Sequence, residues 1–204
     1  MRNESSSFFI CCSMKLYTLF EKCITLPYID VEDMASFAVE RAGSLLSLYF
    51  EPSHGAVDWR NNLDFPARAY GNWFAHRGFV RVWCAAEKYL APQILAPEVK
   101  KIRIAGYSHG AALAVLCHEY IRFHCPEVQV ESWGFGCPRV VWGIPPRGRW
   151  EGFTVVRNLD DLVTHLPPAA LGYRHVGKML EIGERGRHSA IDAHRPESYL
   201  RALL

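Results

Sequence analysis

The chain has 204 residues, 50% of them apolar and 22% charged, with 6 Trp, 9 Tyr and 11 Phe. At roughly 150 residues per domain this favours one compact domain with ample material for a core, and it excludes both a disordered chain and a large modular assembly. Lys and Arg number 23 against 21 Asp and Glu, a net charge of +2; with no basic stripe interleaved with aromatics, the counterion-releasing surface of a nucleic-acid binder is missing.

Residues 1–30 match no recognisable pattern and form a segment of uncertain role; residues 31–204 carry the domain. The opening run has one Arg followed by a Glu, and Lys15 breaks its apolar core early, which makes a weak secretory signal. Cys11, Cys12, Cys23, Cys84, Cys117, Cys125 and Cys137 form an odd set that includes an adjacent pair. Such a set fits no tidy disulfide framework and favours a reducing, cytoplasmic type of compartment. The longest uncharged stretch, Ile104 to Cys117, falls short of the roughly 18 apolar residues of a membrane span, so no transmembrane segment is expected. Cys117-His118 and His124-Cys125 fit no zinc spacing, and neither a metal nor an organic cofactor is expected.

Taken in chain order, residues 31–42 recur apolar at helical spacing and predict a helix, and residues 44–50 read as a buried strand. Phe79 to Leu90 predicts a helix stopped by Pro92. Strands follow at residues 101–105, 128–135 and 153–158, with a helix at residues 111–124 and a short closing helix at residues 195–204. Alternation of this kind implies an α/β fold with a mostly parallel sheet and helices on both faces.

The most informative segment is Gly106-Tyr107-Ser108-His109-Gly110, where a strand pattern runs straight into a helix pattern through Gly-x-Ser-x-Gly. A nucleophilic Ser on so sharp a turn needs small neighbours, which Gly106 and Gly110 supply, and Ala111, Ala112 and Ala114 let the helix lie close to the sheet. The amide of His109, at the helix start, would point toward an acyl oxygen. A serine hydroxyl needs a His to take its proton and a carboxylate to hold that His, expected downstream in the order acid, then His.

Downstream stand Phe135-Gly136-Cys137-Pro138-Arg139-Val140, then Asn158-Leu159-Asp160-Asp161-Leu162-Val163-Thr164-His165-Leu166-Pro167-Pro168, then His175-Val176-Gly177; upstream lies His76-Arg77-Gly78-Phe79. This run resembles the fungal-type (class 3) triacylglycerol lipases of the α/β-hydrolase superfamily, over about residues 46–199. The resemblance implies an α/β-hydrolase fold and a serine carboxylic-ester hydrolase acting on lipid or related esters through an acyl-enzyme. It implies Ser108 as nucleophile, Asp161 as the acid, with Asp160 its nearest rival, and His194 as the base, with His188 the alternative. His165 and His175 are left structural roles.

By the same resemblance Ser53 and the amide of His109 form the oxyanion hole, and residues 56–63, with Trp59, correspond to a lid that could contact a lipid surface transiently. The chain departs from the family at Pro52, where Gly is usual, at Thr164, where Pro is usual, and at His109, where many members have Leu. A non-catalytic binding module on the same fold, and acyl transfer to an acceptor other than water, are the competing readings.

Overall fold

The computed structural model describes residues 4–32, 34–52, 64–186 and 189–204. Its elements run α1 (Glu4–Thr25), β1 (Ile29–Val31), β2 (Ala35–Ala42), β3 (Leu45–Phe50), β4 (Ala67–Tyr70), β5 (Trp73–His76) and α2 (Arg77–Ile94). They continue with β6 (Lys101–Tyr107), α3 (His109–His124), β7 (Gln129–Phe135), β8 (Val141–Trp142) and β9 (Phe153–Asn158). β10 (Tyr173–Arg174), β11 (Lys178–Ile182) and α4 (Pro196–Leu203) complete the order.

The main sheet has the order β1-β2-β3-β6-β7-β9-β11. β3, β6, β7, β9 and β11 pair parallel, while β2 and β1 add antiparallel at one edge. This is the mostly parallel α/β sheet that the alternation of strand and helix implies. Period-two alternation sends neighbouring side chains to opposite faces. Leu46, Leu48, Ile102 and Ile104 meet Phe79, Val82 and Trp83 of α2 and Leu113 and Leu116 of α3 on one face. Tyr49, Ala105, Tyr107, Phe135 and Val156 meet Leu19, Phe20 and Cys23 of α1 and Tyr199 and Leu203 of α4 on the other.

Residues 31–42, expected to be helical, instead supply the last residue of β1 and the whole of β2. Phe37 lies opposite Phe50 and Val39 opposite Leu48, so cross-strand pairing against β3, buried from Leu46 to Phe50, outweighs the helical spacing of a short apolar run. Nor does Pro92 stop its helix, which runs on to Ile94. Pro92 removes one hydrogen bond, that to the carbonyl of Lys88, an exposed residue near the helix end. A small antiparallel sheet, β10-β8-β5-β4, was not expected; strands of two to four residues are too short to show a period.

The N-terminal segment, without a pattern of its own, forms α1 and covers the second face of the sheet beside α4. Fully buried Phe20 sits with its ring centroid 5.2 Å from Tyr107, 5.1 Å from Phe135 and 5.4 Å from Tyr199. Among the described residues no helix is long and apolar enough to cross a membrane.

His118 is buried between the sheet and α3, its Nδ1 2.7 Å from Ser132 Oγ and its Nε2 3.1 Å from the Glu151 carbonyl oxygen. This pair of bonds is a structural use of the histidine within Cys117-His118. Burial pushes its pKa down to about 3, and burial likewise brings His175 to about 4. The unfolded chain, with ordinary histidines near pH 6.5, therefore binds more protons than the fold between those values.

Two outcomes follow from this packing. Phe20→Ala should lower the unfolding free energy by about 3–5 kcal/mol, because a large aromatic leaves a cavity under the sheet; a urea midpoint unchanged from the parent would show that α1 does not brace the fold. Stability should be full above about pH 6.5 and fall as pH drops toward 4, by about 1.4 kcal/mol per unit for each of the two histidines. Urea unfolding of the parent and of His118→Gln at pH 7, 6 and 5 checks this, the variant showing the shallower fall.

Candidate active site

Ser108 stands between the carboxyl end of β6 and the first turn of α3, with φ 56° and ψ −118°. A non-glycine residue rarely adopts this conformation, and it persists only where its surroundings impose it. Here the Ser108 amide donates to the Phe135 carbonyl at 2.9 Å. A Cβ on Gly106 would come within 2.2 Å of the Gly110 carbonyl oxygen, and one on Gly110 within 2.2 Å of the Phe50 carbonyl oxygen. Both contacts are with backbone, which cannot swing aside, so only glycine lets the helix start so near the strands. The turn holds the Ser108 hydroxyl at the carboxyl edge of the parallel sheet, where α/β folds build their sites.

Asp161 follows β9, two strands away in the sheet, and is fully buried. His194 ends a short 3₁₀ turn just before Pro196 opens α4. The structure brings the two together with Ser108. His194 Nδ1 lies 2.8 Å from Asp161 Oδ2 and His194 Nε2 lies 2.8 Å from Ser108 Oγ. A carboxylate can only accept, so Nδ1 donates to it, and Nε2 is left to accept from the serine hydroxyl. The imidazole side chain remains 19% exposed while the carboxylate is sealed off, so the arrangement can take a proton from Ser108 at a place that a substrate can reach.

Burying a carboxylate costs heavily unless its lone pairs are answered. Besides His194, the Tyr199 hydroxyl donates to Asp161 Oδ2 at 2.7 Å and the Val163 amide donates to Oδ1 at 2.8 Å. Burial and the neighbouring Asp161 carboxylate hold the Tyr199 phenol well above its ordinary value, so it stays a neutral donor. The Asn158 amide donates in turn to the Tyr199 hydroxyl at 3.1 Å, and Asn158 Nδ2 donates to the Ala193 carbonyl at 3.0 Å. Tyr107, beside the serine, donates its hydroxyl to the His194 carbonyl and stacks its ring 5.2 Å from the imidazole. Gly136, at φ 57°, passes so close that a Cβ would meet His194 Cε1 at 2.9 Å.

Tyr199, Tyr107, Asn158 and Gly136 thus frame the site, and none was assigned a role from the sequence. The available signals were weak: Gly136 within Phe-Gly-x-Pro-Arg and Asn158 three residues before Asp161. Asp160, the rival carboxylate, turns away and accepts from the Gly186 amide at 2.7 Å. His175 Nε2 lies 2.7 Å from the Thr164 carbonyl oxygen, and exposed His165 offers its carbonyl to Arg139. His109 opens α3, buried, with its ring 5.4 Å from that of Phe79. Ser53, Trp59 and His188 lie outside the described residues. Among the described residues no group of three or more His, Cys, Asp or Glu side chains could hold a metal ion.

The fold is that of several solved lipases. A fungal lipase in complex with an inhibitor is similar at a TM-score of 0.65 and 22% identity, covering 87% of this chain and 79% of its own. The lipase of Yarrowia lipolytica known as Lip2 gives 0.64 at 15% identity, covering 90% and 80%. The Rhizomucor miehei lipase in its propeptide complex gives 0.62 at 19% identity, covering 100% and 80%. At such identities the likeness establishes the α/β-hydrolase fold. Residues 47–171 match the model of the class 3 lipase family. That match spans well over half of the chain, and the protein therefore belongs to the class 3 lipases, ester hydrolases of the triacylglycerol-lipase type.

Proposed function

We propose that the chain hydrolyses carboxylic esters of lipids or related molecules through a covalent intermediate on Ser108, with His194 as general base and acid and Asp161 as its orienting carboxylate. The observation that carries this reading is the continuous hydrogen-bonded chain from Ser108 Oγ through His194 to Asp161, each link 2.8 Å long. A merely structural serine has no need of the strained turn that presents it.

As Ser108 Oγ forms a bond to the ester carbonyl carbon, His194 Nε2 takes the hydroxyl proton and the carbonyl oxygen gains a negative charge. When that intermediate collapses, the bond to the alcohol oxygen breaks, and the imidazolium returns its proton to the departing alkoxide. Water then repeats the sequence against the acyl-serine, giving the acid and free Ser108. Asp161 holds the imidazole in the tautomer whose Nε2 can accept, and it offsets the charge the ring gains. The oxyanion is assigned to the amide of His109, at the start of α3, together with that of Ser53. Each such donor is worth about 2.7–4 kcal/mol in the transition state.

The hydrogen-bonded chain favours this reading over a non-catalytic module. Ser108→Ala and His194→Ala should each lower turnover of a p-nitrophenyl ester by about 10⁴-fold or more, and a fluorophosphonate should label the parent but not Ser108→Ala. A loss confined to His188→Ala, with His194→Ala active, would move the general base to His188. Tyr199→Phe removes a donor from Asp161 and should lower kcat about tenfold with KM unchanged, since a hydrogen bond to a charged group contributes about 1.5–3 kcal/mol. An equal rise in KM at constant kcat would instead mean that Tyr199 shapes the substrate pocket.

A further inference from the structure

α3 carries a second constructed place at its far end. Tyr120 and Phe123, in the last turns of the helix, line a cavity of about 490 Å³ with Tyr70 and Trp73 of the β4–β5 hairpin, Glu87 of α2 and Glu119 of α3. At 1.5 Å per residue this cavity lies roughly 20 Å along α3 from Ser108, apart from the site described above.

Its walls are aromatic and its charge is negative. Glu119 is buried and its Oε1 accepts from Arg149 Nη1 at 2.8 Å, which answers that carboxylate. Glu87 makes no ion pair with a Lys or Arg among the described residues; Tyr70 and Trp83 hydrogen-bond to its side chain, and the cationic group that acts on it is His124, which lines the same cavity. Burial raises its pKa, as expected for a carboxylate whose countercharge is weak. The carbonyl end of α3 adds a partial negative charge at the same place. The aromatic rings here already accept a cation: the Arg149 guanidinium carbon lies 4.5 Å from the ring centroid of Phe123. The ring of Tyr70 is held in place by the bond from Trp83 Nε1 to its hydroxyl at 2.6 Å, and Trp73 stands edge-on to it with centroids 5.5 Å apart.

We infer that this cavity is a binding site for an organic ammonium ion, a quaternary or alkylated amine whose methyl groups lie against Tyr70, Trp73 and Tyr120 while its charge faces Glu87. A hydrated metal ion asks for oxygen ligands rather than aromatic faces. A neutral molecule of the same shape adds no countercharge to Glu87, whereas an alkylated ammonium meets both features, because ring faces and a carboxylate attract the same cation. The ammonium can arrive as a free small molecule or as the headgroup of a choline lipid.

The test is isothermal titration of the full chain with tetramethylammonium chloride, with choline chloride, and with the uncharged choline isostere 3,3-dimethylbutan-1-ol, at matched ionic strength. Both cations should bind one to one with a dissociation constant of about 1 mM or below. The neutral isostere should bind at least about tenfold more weakly, as should either cation to Glu87→Gln. Circular dichroism shows that the variant is folded, and Trp73→Phe, which keeps an aromatic face, should retain most of the affinity. Sedimentation with phosphatidylcholine and with phosphatidylglycerol vesicles separates the sources. Glu87-dependent binding to the choline lipid alone assigns the headgroup, and binding of soluble cations without vesicle binding assigns a free amine. No binding of either cation at 50 times that dissociation constant, equal binding of the neutral isostere, or unchanged affinity in folded Glu87→Gln would each overturn the proposal.

Discussion

The contact between α3 and the strands beneath it constrains everything above the sheet. With a Cβ at Gly106 meeting the Gly110 carbonyl oxygen at 2.2 Å, and one at Gly110 meeting that of Phe50 at the same distance, the helix must begin where the strand ends, with no intervening loop. The chain can make that turn only by forcing Ser108 into a positive φ. The strain at one residue is offset by the packing of the whole helix, whose residues Ala111 to Cys117 are all essentially inaccessible to solvent. A turn so constrained holds the hydroxyl in one place, which a flexible loop would not do.

The partners of that hydroxyl are positioned by the opposite face of the sheet. Asp161 and His194 come from loops, and loops by themselves fix little. Here they are tied to a layer of aromatic residues in which Phe20 of α1 packs on Tyr107 and Tyr199. Tyr107 donates to the His194 backbone, and Tyr199 donates to the Asp161 carboxylate. An apolar element remote in sequence thereby supports a polar arrangement at the sheet edge. The polar groups remain buried only because each has an answer: Asn158 bonds both to Tyr199 and to the carbonyl of Ala193.

The same helix that presents Ser108 at its start ends among aromatic rings and carboxylates. The two ends of α3 differ in electrostatic sense, since exposed N–H groups gather at one and carbonyls at the other. An oxyanion is suited to the first and an organic cation to the second. Membership in the class 3 lipases leaves the latter end open.

Much of this was legible in the amino-acid sequence, where the signal was local or carried by a motif. Gly106, Ser108 and Gly110 declare the turn because only glycine tolerates its close approaches, and β6, α3, β7 and β9 announce themselves by long apolar patterns. The residues Asp161 and His194 could be named from the lipase resemblance, which favours Asp161 over its neighbour Asp160 and His194 over His188. Only the tertiary structure decided that Asp161 turns inward to His194 while Asp160 serves a turn at Gly186. It also decided that residues 35–42 extend as a strand against β3, that Pro92 sits within α2, and that Tyr107 and Tyr199 brace the site. β2 and β3 form a hairpin held by cross-strand pairing, and the braces of the site are contacts from distant parts of the chain, so that pairing and burial against neighbours outweigh the small propensity differences that sequence patterns record.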